Sequence, residues 1–366
     1  MFTINLPVAE IYTGVFPASY VLGRQHWLTQ VERLTLPKQR RAYPCEGVGP
    51  DGETLITDTV WIGSVDAPNV LVIIAGTHGI EGSTGSAIEI DFLRLLKAGH
   101  FILPPYVAVL LIHALTPWGY AWQRRCDEEG VDLNRNAVDF SQSLPENPDY
   151  DALRAALFCD DSAERLRLFS EFEAKHGRVA FEKAISGGQY HDPSGPFYGG
   201  SKPAHGRLAS EELIQHYDLQ QRNLAVIDLH SGLGAYGYGE IICDHPPESP
   251  ATQIAKRWYG DCVTLPALGT SSSVAKTGLQ DYIWHSIMNE FSCYITLEFG
   301  TYPTDQLFDV LLRDHQLWAQ KTNQAAQLAH GQRMRQHFCP NDPAWQEMVL
   351  FRARQVFTQA LRGLSV

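Results

Sequence analysis

The sequence has no long apolar run and no dense run of basic residues. No stretch approaches the roughly 18 apolar residues that a membrane-spanning helix needs, and residues 1–14 lack the basic and apolar regions of a signal peptide. The formal net charge of −12 argues against nucleic acid or an anionic membrane as the main partner. We therefore expect a cytoplasmic protein that binds neither nucleic acid nor membrane.

Paired cysteines and a serine nucleophile motif are also missing. The seven cysteines are odd in number and scattered without paired spacing, which favours reduced thiols over a disulfide framework or a cysteine-based metal site. The chain contains no Gly-x-Ser-x-Gly sequence, the elbow that exposes the serine of many hydrolases. A serine hydrolase is therefore disfavoured, and chemistry must come from other residues.

The apolar pattern indicates an α/β fold. At 366 residues and 44% hydrophobic, the chain can bury a large core within one domain. Strand-like runs lie at 55–63, 69–76, 106–112, 223–229 and 293–303. We predict a single domain over 1–366, with a leader onto the sheet at 1–60, a helical and loop insert at 140–222 and C-terminal helices at 304–366. Helical spacing is found at 151–158, 161–175, 207–217, 304–333 and 343–362, the last with Asp342 as N-cap and Pro343 at N1.

His78 and Glu81 follow the strand-like run 69–76, before a helical pattern that we expect to begin with Ser83 as N-cap and to end at Gly99. The spacing alone is weak, because 14 histidines and 41 acidic residues give about 1.6 such His-x-x-acid pairs by chance and the chain has two. The other pair, His245 and Glu248, lies in a proline-rich loop. Glycines, a strand and a helix surround only the first pair, which makes it the candidate metal site.

Further chemistry-bearing residues lie near the ends of later strands. His230 ends the run 223–229, and ligands in open α/β sheets bind at this carboxyl edge. Glu298 is the only charge in its strand-like run, and such a carboxylate is usually buried only if it is paired or functional. The loop after 106–112 carries three arginines and an asparagine that suggest an anion site: Arg124, Arg125, Asn134 and Arg135.

These residues together resemble the zinc carboxypeptidase superfamily, and in particular a bacterial branch whose members are mostly of unknown function. The superfamily pattern is His-x-x-Glu, an Asn-Pro-x-Gly-Tyr/Phe turn, an Asn-Arg pair, Asp-x-His-Ser and a late strand with a catalytic Glu. The chain carries corresponding segments in this order: 78-HGIE-81, 116-TPWGY-120, 133-LNRN-136, 228-DLHS-231 and 297-LEFG-300. The resemblance implies a mixed, mostly parallel central sheet flanked by helices.

The resemblance also implies a role for each matching residue. His78, Glu81 and His230 would bind one zinc ion per chain, and Glu298 would be the general base. Asn134 and Arg135 would hold the carboxylate of the substrate, while Arg124 or Arg125 would polarise the scissile carbonyl. Asp228 is expected beside His230 as a supporting group rather than as a ligand.

Tyr282 is the candidate, by order alone, for the superfamily's mobile active-site tyrosine. Inside the insert, 187–200 is rich in Gly, Pro and aromatics, and we favour a loop over the active site to a solvated turn region. His191 and His205 are expected to be surface or hydrogen-bonding histidines. The C-terminal helices cover the sheet or form a contact surface, which leaves a homo-oligomer open.

The predicted function is zinc-dependent hydrolysis of an amide bond in a peptide or small amide that carries a free carboxylate. An N-acyl amino acid deacylase would use the same scaffold and is the main alternative. A binding protein without turnover is disfavoured, since degenerate sites usually lose a ligand or the base.

Overall fold

The computed structural model describes residues 4–320 and 324–365. Within these residues, eight strands form one sheet: β1 (Lys38–Val48), β2 (Thr54–Ile62), β3 (Asn69–Ala75), β4 (Val107–His113), β5 (Asn223–Gly232), β6 (Gly239–Ile242), β7 (Val263–Thr264) and β8 (Cys293–Gly300). The same residues contain twelve helices: α1 (Tyr20–Glu32), α2 (Gly82–Lys97), α3 (Pro117–Trp122), α4 (Pro148–Leu157), α5 (Ser162–His176), α6 (Arg178–Ser186), α7 (His205–His216), α8 (Pro250–Tyr259), α9 (Asp281–His285), α10 (Thr304–Ala319), α11 (Gln324–Phe338) and α12 (Pro343–Gly363).

The sheet is mixed and mostly parallel, with the strand order β1-β2-β4-β3-β5-β8-β6-β7. β3, β4, β5 and β8 are parallel neighbours at its centre, while β1, β2 and β6 join by antiparallel pairing. The predicted α/β class is therefore confirmed. Because the central strands run in one direction, their carboxyl ends meet at a single edge, where turns bring polar side chains together.

Both faces of the sheet are buried, as expected for parallel strands covered by helices. On β3, Leu71 and Ile73 point to one side and Val70, Val72 and Ile74 to the other, and all are fully buried. The first side packs against α1, α2, α8 and α12, and the second packs against α7 and α9. No helix in the described part of the chain is both long and apolar enough to cross a membrane.

One helix start differs from the predicted one, and one helix was not predicted. Ser83 lies inside α2, and Glu81 has the N-cap position, because the turn before the helix runs directly into it. Gly99, at φ +74°, follows the end of α2 as predicted. In the insert, the helix Arg178–Ser186 was not predicted, since its nine residues are too short for a clear period.

The C-terminal region has three helices where two were predicted. The predicted helix 304–333 corresponds to α10 and α11, and residues 321–323 between them lie outside the described residues. Asp342 caps α12 as predicted: its Oδ1 accepts from Ala344 N at 3.0 Å, with Pro343 at the first position. α10 and α11 pack over the carboxyl edge of the sheet, where Leu307 and Phe338 contribute to the wall of a cleft.

Candidate active site

A tight turn brings His78 and Glu81 to the carboxyl edge of β3. Gly76 has φ +74°, which glycine adopts readily, and His78 then opens a short 3₁₀ turn that contains Glu81. A side chain at Gly79 would place its Cβ 2.2 Å from the backbone of Gly119, so the turn can pack this closely only with glycine. The glycine-rich context that distinguished this His-x-x-Glu pair in the sequence therefore has a steric basis.

Three side chains meet at this edge. His78 Nδ1 lies 2.8 Å from Glu81 Oε1 and 3.1 Å from His230 Nδ1, and His230 Nδ1 lies 3.2 Å from Glu81 Oε2. All three residues are buried. Ligands at 2.0–2.2 Å from a tetrahedral ion are about 3.3 Å apart. These three side chains, here called the metal group, therefore have the composition and spacing needed to hold a metal ion.

A carboxylate lies behind each imidazole. Asp132 Oδ1 is 3.3 Å from His78 Nε2, and Asp228 Oδ2 is 2.8 Å from His230 Nε2. Neither contact has hydrogen-bond geometry in the structure, but a carboxylate at this distance favours the ring proton on Nε2, which leaves the Nδ1 lone pair for a metal. Two Nδ1 lone pairs only 3.1 Å apart repel each other unless a positive charge lies between them. This orientation fits a cation at the meeting point of the three side chains.

The electrostatics of the group agree with this reading. Burial would raise the pKa of the Glu81 carboxyl, but the imidazoles of His78 and His230 outweigh burial and hold that pKa well below its usual range. Burial would lower the pKa of the His230 imidazole, but the Asp228 and Glu81 carboxylates raise it well above its usual value. The site thus attracts positive charge, which a proton or a metal ion can supply.

Glu298 lies beside this group on the neighbouring strand. It is in register with His230 in the parallel pair of β5 and β8, and it lines the same cleft. Its Oε1 accepts a hydrogen bond from Leu233 N at 3.0 Å. Burial and the negative charge of Glu81 raise the pKa of Glu298 to about 7. A carboxyl with this pKa can accept and return a proton at neutral pH.

The two adjacent arginines have different environments. Arg125 lines the cleft, with Nη1 3.5 Å from Glu81 Oε1 and Nε donating to Asp132 Oδ2 at 3.0 Å. Arg124 is buried elsewhere and donates to Asp314 Oδ2 at 2.8 Å. Arg124 is not among the residues that line the cleft. We therefore remove Arg124 from the candidate catalytic residues and keep Arg125.

Asn134 and Arg135 lie in a 3₁₀ turn and both line the cleft. Asn134 Oδ1 accepts from Gln280 N at 2.8 Å, so its side chain ties together two loops. Arg135 is fully buried, and its Nε and Nη2 donate to the Ser186 carbonyl at 3.1 and 2.6 Å. Burial lowers the pKa of Arg135 to about 10. Within the described residues, Arg135 forms no ion pair with a carboxylate.

Tyr282 lies outside the cleft. Its side chain is 40% exposed, and its hydroxyl donates to the Lys276 carbonyl at 3.2 Å. No tyrosine lines the cleft in the part of the chain that the structure describes. Tyr282 is therefore removed from the candidate substrate-binding residues, because order along the chain was its only support.

The remaining histidines serve other roles. His245 Nε2 accepts from Tyr294 N at 3.0 Å, and Glu248 is exposed, so this second His-x-x-Glu pair forms no metal group. His191 is paired with a surface aspartate, and His205 contacts a threonine hydroxyl. Neither His191 nor His205 belongs to the metal group, in agreement with the sequence analysis.

A cleft of about 830 Å³, including its open mouth, leads to the metal group. Phe197 lines it, so the 187–200 loop does reach the site. Lys276 and Asp244 also line the cleft, and sequence reasoning did not single them out. Asp132 was missed as well, although an acid two residues before Asn134 repeats the placement of Asp228 two residues before His230.

Comparison with known proteins assigns the family. Residues 16–352 match the family described as "Protein of unknown function (DUF2817)", so the chain belongs to that family. No curated protein sequence matches the chain.

Several solved structures match the chain at low sequence identity. One is bovine thrombin-activatable fibrinolysis inhibitor, at 12% identity over 89% of this chain and 98% of that chain, with a TM-score of 0.48. Another is carboxypeptidase A from Helicoverpa armigera, at 14% identity over 89% and 75% of the two chains and a TM-score of 0.48. A third is murein-tripeptide amidase MpaA from Escherichia coli O157, at 17% identity over 85% and 97%, with a TM-score of 0.37.

Proposed function

We propose that the protein is a zinc-dependent hydrolase that cleaves an amide bond in a substrate with a free carboxylate. One observation carries this proposal: the side chains of His78, Glu81 and His230 converge in a cleft that also presents Glu298 and Arg135, whose guanidinium forms no ion pair within the described residues. Metal ligands, a base and an anion site are the parts that such hydrolysis requires.

Zinc is the metal that this donor set fits best. Two imidazole nitrogens and one carboxylate, with an outer carboxylate behind each imidazole, are typical of catalytic zinc, which keeps a fourth position open for water. When bound, zinc lowers the pKa of its water ligand to about 7 and polarises a carbonyl oxygen. The proposal has one ion per chain.

The chain's own residues supply the remaining steps. Glu298 accepts the proton of the attacking water and returns it to the leaving nitrogen, as its position in the cleft beside the three metal-binding side chains allows. Arg125 faces the cleft and stabilises the oxyanion as it forms, while Asp132 holds its guanidinium in place. Arg135 and Asn134 bind the carboxylate of the substrate. Burial of Arg135 excludes water and strengthens that ion pair.

Peptidase and deacylase activities both fit this arrangement. Each requires a metal, a base and an arginine for a carboxylate, and they differ in what lies on the acyl side of the bond. A mixed library of short peptides and N-acyl amino acids, each as free acid and as C-terminal amide, would be incubated with the zinc-loaded protein and analysed by mass spectrometry. Lack of cleavage of every compound would contradict the proposed function and favour a binding protein.

The acid-over-amide preference tests Arg135. We expect free acids to react about 100-fold faster than their amides, since an amide leaves the buried guanidinium unpaired at a cost of about 3 kcal/mol. Arg135→Ala should remove most of this preference by slowing the acids, and Arg135→Lys should keep part of it because a point charge lacks the bidentate fork. The ratio of kcat/KM for acid and amide is the measurement. Equal rates for both in the parent protein would assign Arg135 to the fold instead.

The adjacent arginines form a matched pair for a second test. Arg125→Gln should lower kcat by about 10²–10³, the usual effect of removing an oxyanion donor. Arg124→Gln should lower stability by about 3 kcal/mol, since it leaves Asp314 buried without its partner and removes the contact with the Trp318 ring. The folded Arg124 variant should keep kcat within a few-fold. The reverse pattern would reassign the oxyanion role.

A further inference from the structure

Among the described residues, three Arg and Lys side chains line the cleft, and two of them, Arg135 and Lys276, form no ion pair with a carboxylate. Arg125 pairs with Asp132 and Glu81, whereas Arg135 donates to backbone carbonyls. Lys276 forms no ion pair within the described residues. Asp244 lines the same cleft and acts on both cations without an ion-pair contact, so the cost of burying the two positive charges is only partly offset. A ligand that brings one negative charge would offset Arg135 and leave Lys276 unpaired.

Lys276 has hydrogen-bonding capacity left for a ligand. Its ammonium group donates to Ser273 Oγ and, at 3.0 Å, to the Val274 carbonyl, which uses two of its three N–H groups. Burial and the positive charge of Arg135 lower the pKa of Lys276 to about 8, so the group still carries its charge at pH 7. The third N–H is available to an acceptor in the cleft.

The loop that carries Lys276 is anchored at both ends, which makes it a defined wall. At one end, the buried Glu240 carboxylate accepts from Ser271 Oγ at 2.8 Å and from Ser272 N at 3.1 Å. At the other end, Gln280 N donates to Asn134 Oδ1 at 2.8 Å. Because the loop is held against both the sheet and the turn that contains Asn134 and Arg135, the position of Lys276 relative to Arg135 is fixed.

We propose that Lys276 is a specificity-determining residue that binds a second acidic group of the substrate, so that the protein prefers dianionic amides. The placement rests on the proposed function, in which Arg135 takes the first carboxylate. The preferred substrate class is then an amide or N-acyl compound whose carboxylate-bearing part has another carboxylate on its side chain. A neutral side chain would leave the ammonium group without a carboxylate to offset its charge.

Asp244 gives the proposal a matched counter-test. It lines the same cleft, and its negative charge acts on Lys276, Arg135 and His230. A second carboxylate beside Lys276 would be repelled by Asp244, so removing that charge should strengthen dianion binding. If Lys276 and Asp244 instead served only to hold each other, removing either one would weaken the site in the same direction.

The test measures binding and needs no turnover. Glutarate and pentanoate have the same chain length and differ in one carboxylate, so calorimetric titration of the zinc-loaded protein with each isolates the second charge. We expect glutarate to bind about 10–100-fold more tightly, the usual effect of one charge-assisted hydrogen bond. Lys276→Met should remove that difference while changing pentanoate binding less than about threefold. Asp244→Asn should widen it, and Lys276→Arg, which keeps the charge, should retain it.

The outcomes separate the two proposals. Equal affinities for glutarate and pentanoate in the parent protein, or an equal loss of both in Lys276→Met, would overturn the role of Lys276. A glutarate preference that Lys276→Met abolishes supports it, even if no amide in the library is cleaved. That last result would contradict the hydrolase function alone and leave a dianion-binding site.

Discussion

Glu298→Gln should leave the metal bound and lower turnover by about 10²–10⁴, the usual contribution of general acid–base catalysis. The amide keeps the size of the side chain and can still accept from Leu233 N, but it cannot take a proton from water. The measurement is kcat on the best library substrate, with zinc content determined on the same preparation. Zinc content should equal that of the parent protein.

Glu248 provides a matched control for this substitution. It is an exposed glutamate in the second His-x-x-Glu sequence, outside the cleft. Glu248→Gln should therefore keep kcat within about twofold, as do most surface changes. If Glu298→Gln retained activity within a few-fold of the parent, the base would have to be another group.

Replacement of His230 by alanine should remove most of the zinc and, with it, the activity. The variant leaves two ligands, and it also leaves Asp228 buried without the imidazole 2.8 Å away. Loss of a ligand costs more than the 10–100-fold in affinity that loss of an outer partner usually costs. Elemental analysis after dialysis against buffer that contains no metal gives zinc per chain, with about one expected in the parent. His78→Ala should behave in the same way.

His245→Ala is the control for the histidine variants. This histidine is buried like the candidate ligands, but it accepts from a backbone N–H and lies outside the metal group. Its removal should cost stability and leave zinc content unchanged. Full zinc retention in the His230 variant would show that the metal, if any, binds elsewhere.

Much of the sheet could be predicted because its signal is local. The apolar runs at 69–76, 106–112 and 223–229 correspond to β3, β4 and β5 within a few residues. Strands buried on both faces appear as continuous apolar runs, which the sequence displays directly. The helix Arg178–Ser186 was missed, as was the division of the predicted helix 304–333 into α10 and α11, since short amphipathic segments and interruptions within long ones give weak periodic signals.

The metal group could be placed because His230 lies near the carboxyl end of β5, and His78 and Glu81 lie in the turn that follows β3. The carboxyl edge of a parallel sheet brings such residues together whatever their separation in sequence, here 152 residues between His78 and His230. The residues that support the metal group were harder to predict from the sequence. Asp228 was expected beside His230, and the structure adds a hydrogen bond to its Oδ2 from the Tyr294 hydroxyl at 2.8 Å, a contact between strands that no local pattern encodes.

The cleft walls were the least predictable part. Arg124 and Arg125 are neighbours in sequence, and only the local backbone decides which one faces Glu81 and which one Asp314. Lys276 lies in a loop without periodic apolar residues, so nothing in the sequence distinguishes it from the other lysines. Tyr282 was proposed from its order along the chain alone, and order along a loop does not determine which side chains face a cleft.

Because Glu240 anchors the Lys276 loop, the loop and the metal group can change independently in evolution. Glu240 belongs to β6, outside the strands that carry the metal group, and its carboxylate accepts hydrogen bonds from Thr264 and from the Ser271–Ser272 end of the loop. Under the proposed function, substitutions around Lys276 should therefore alter substrate preference with little effect on the metal group and Glu298. We expect chains that share the His-Glu-His group but differ in this loop to prefer different substrates while retaining the same type of reaction.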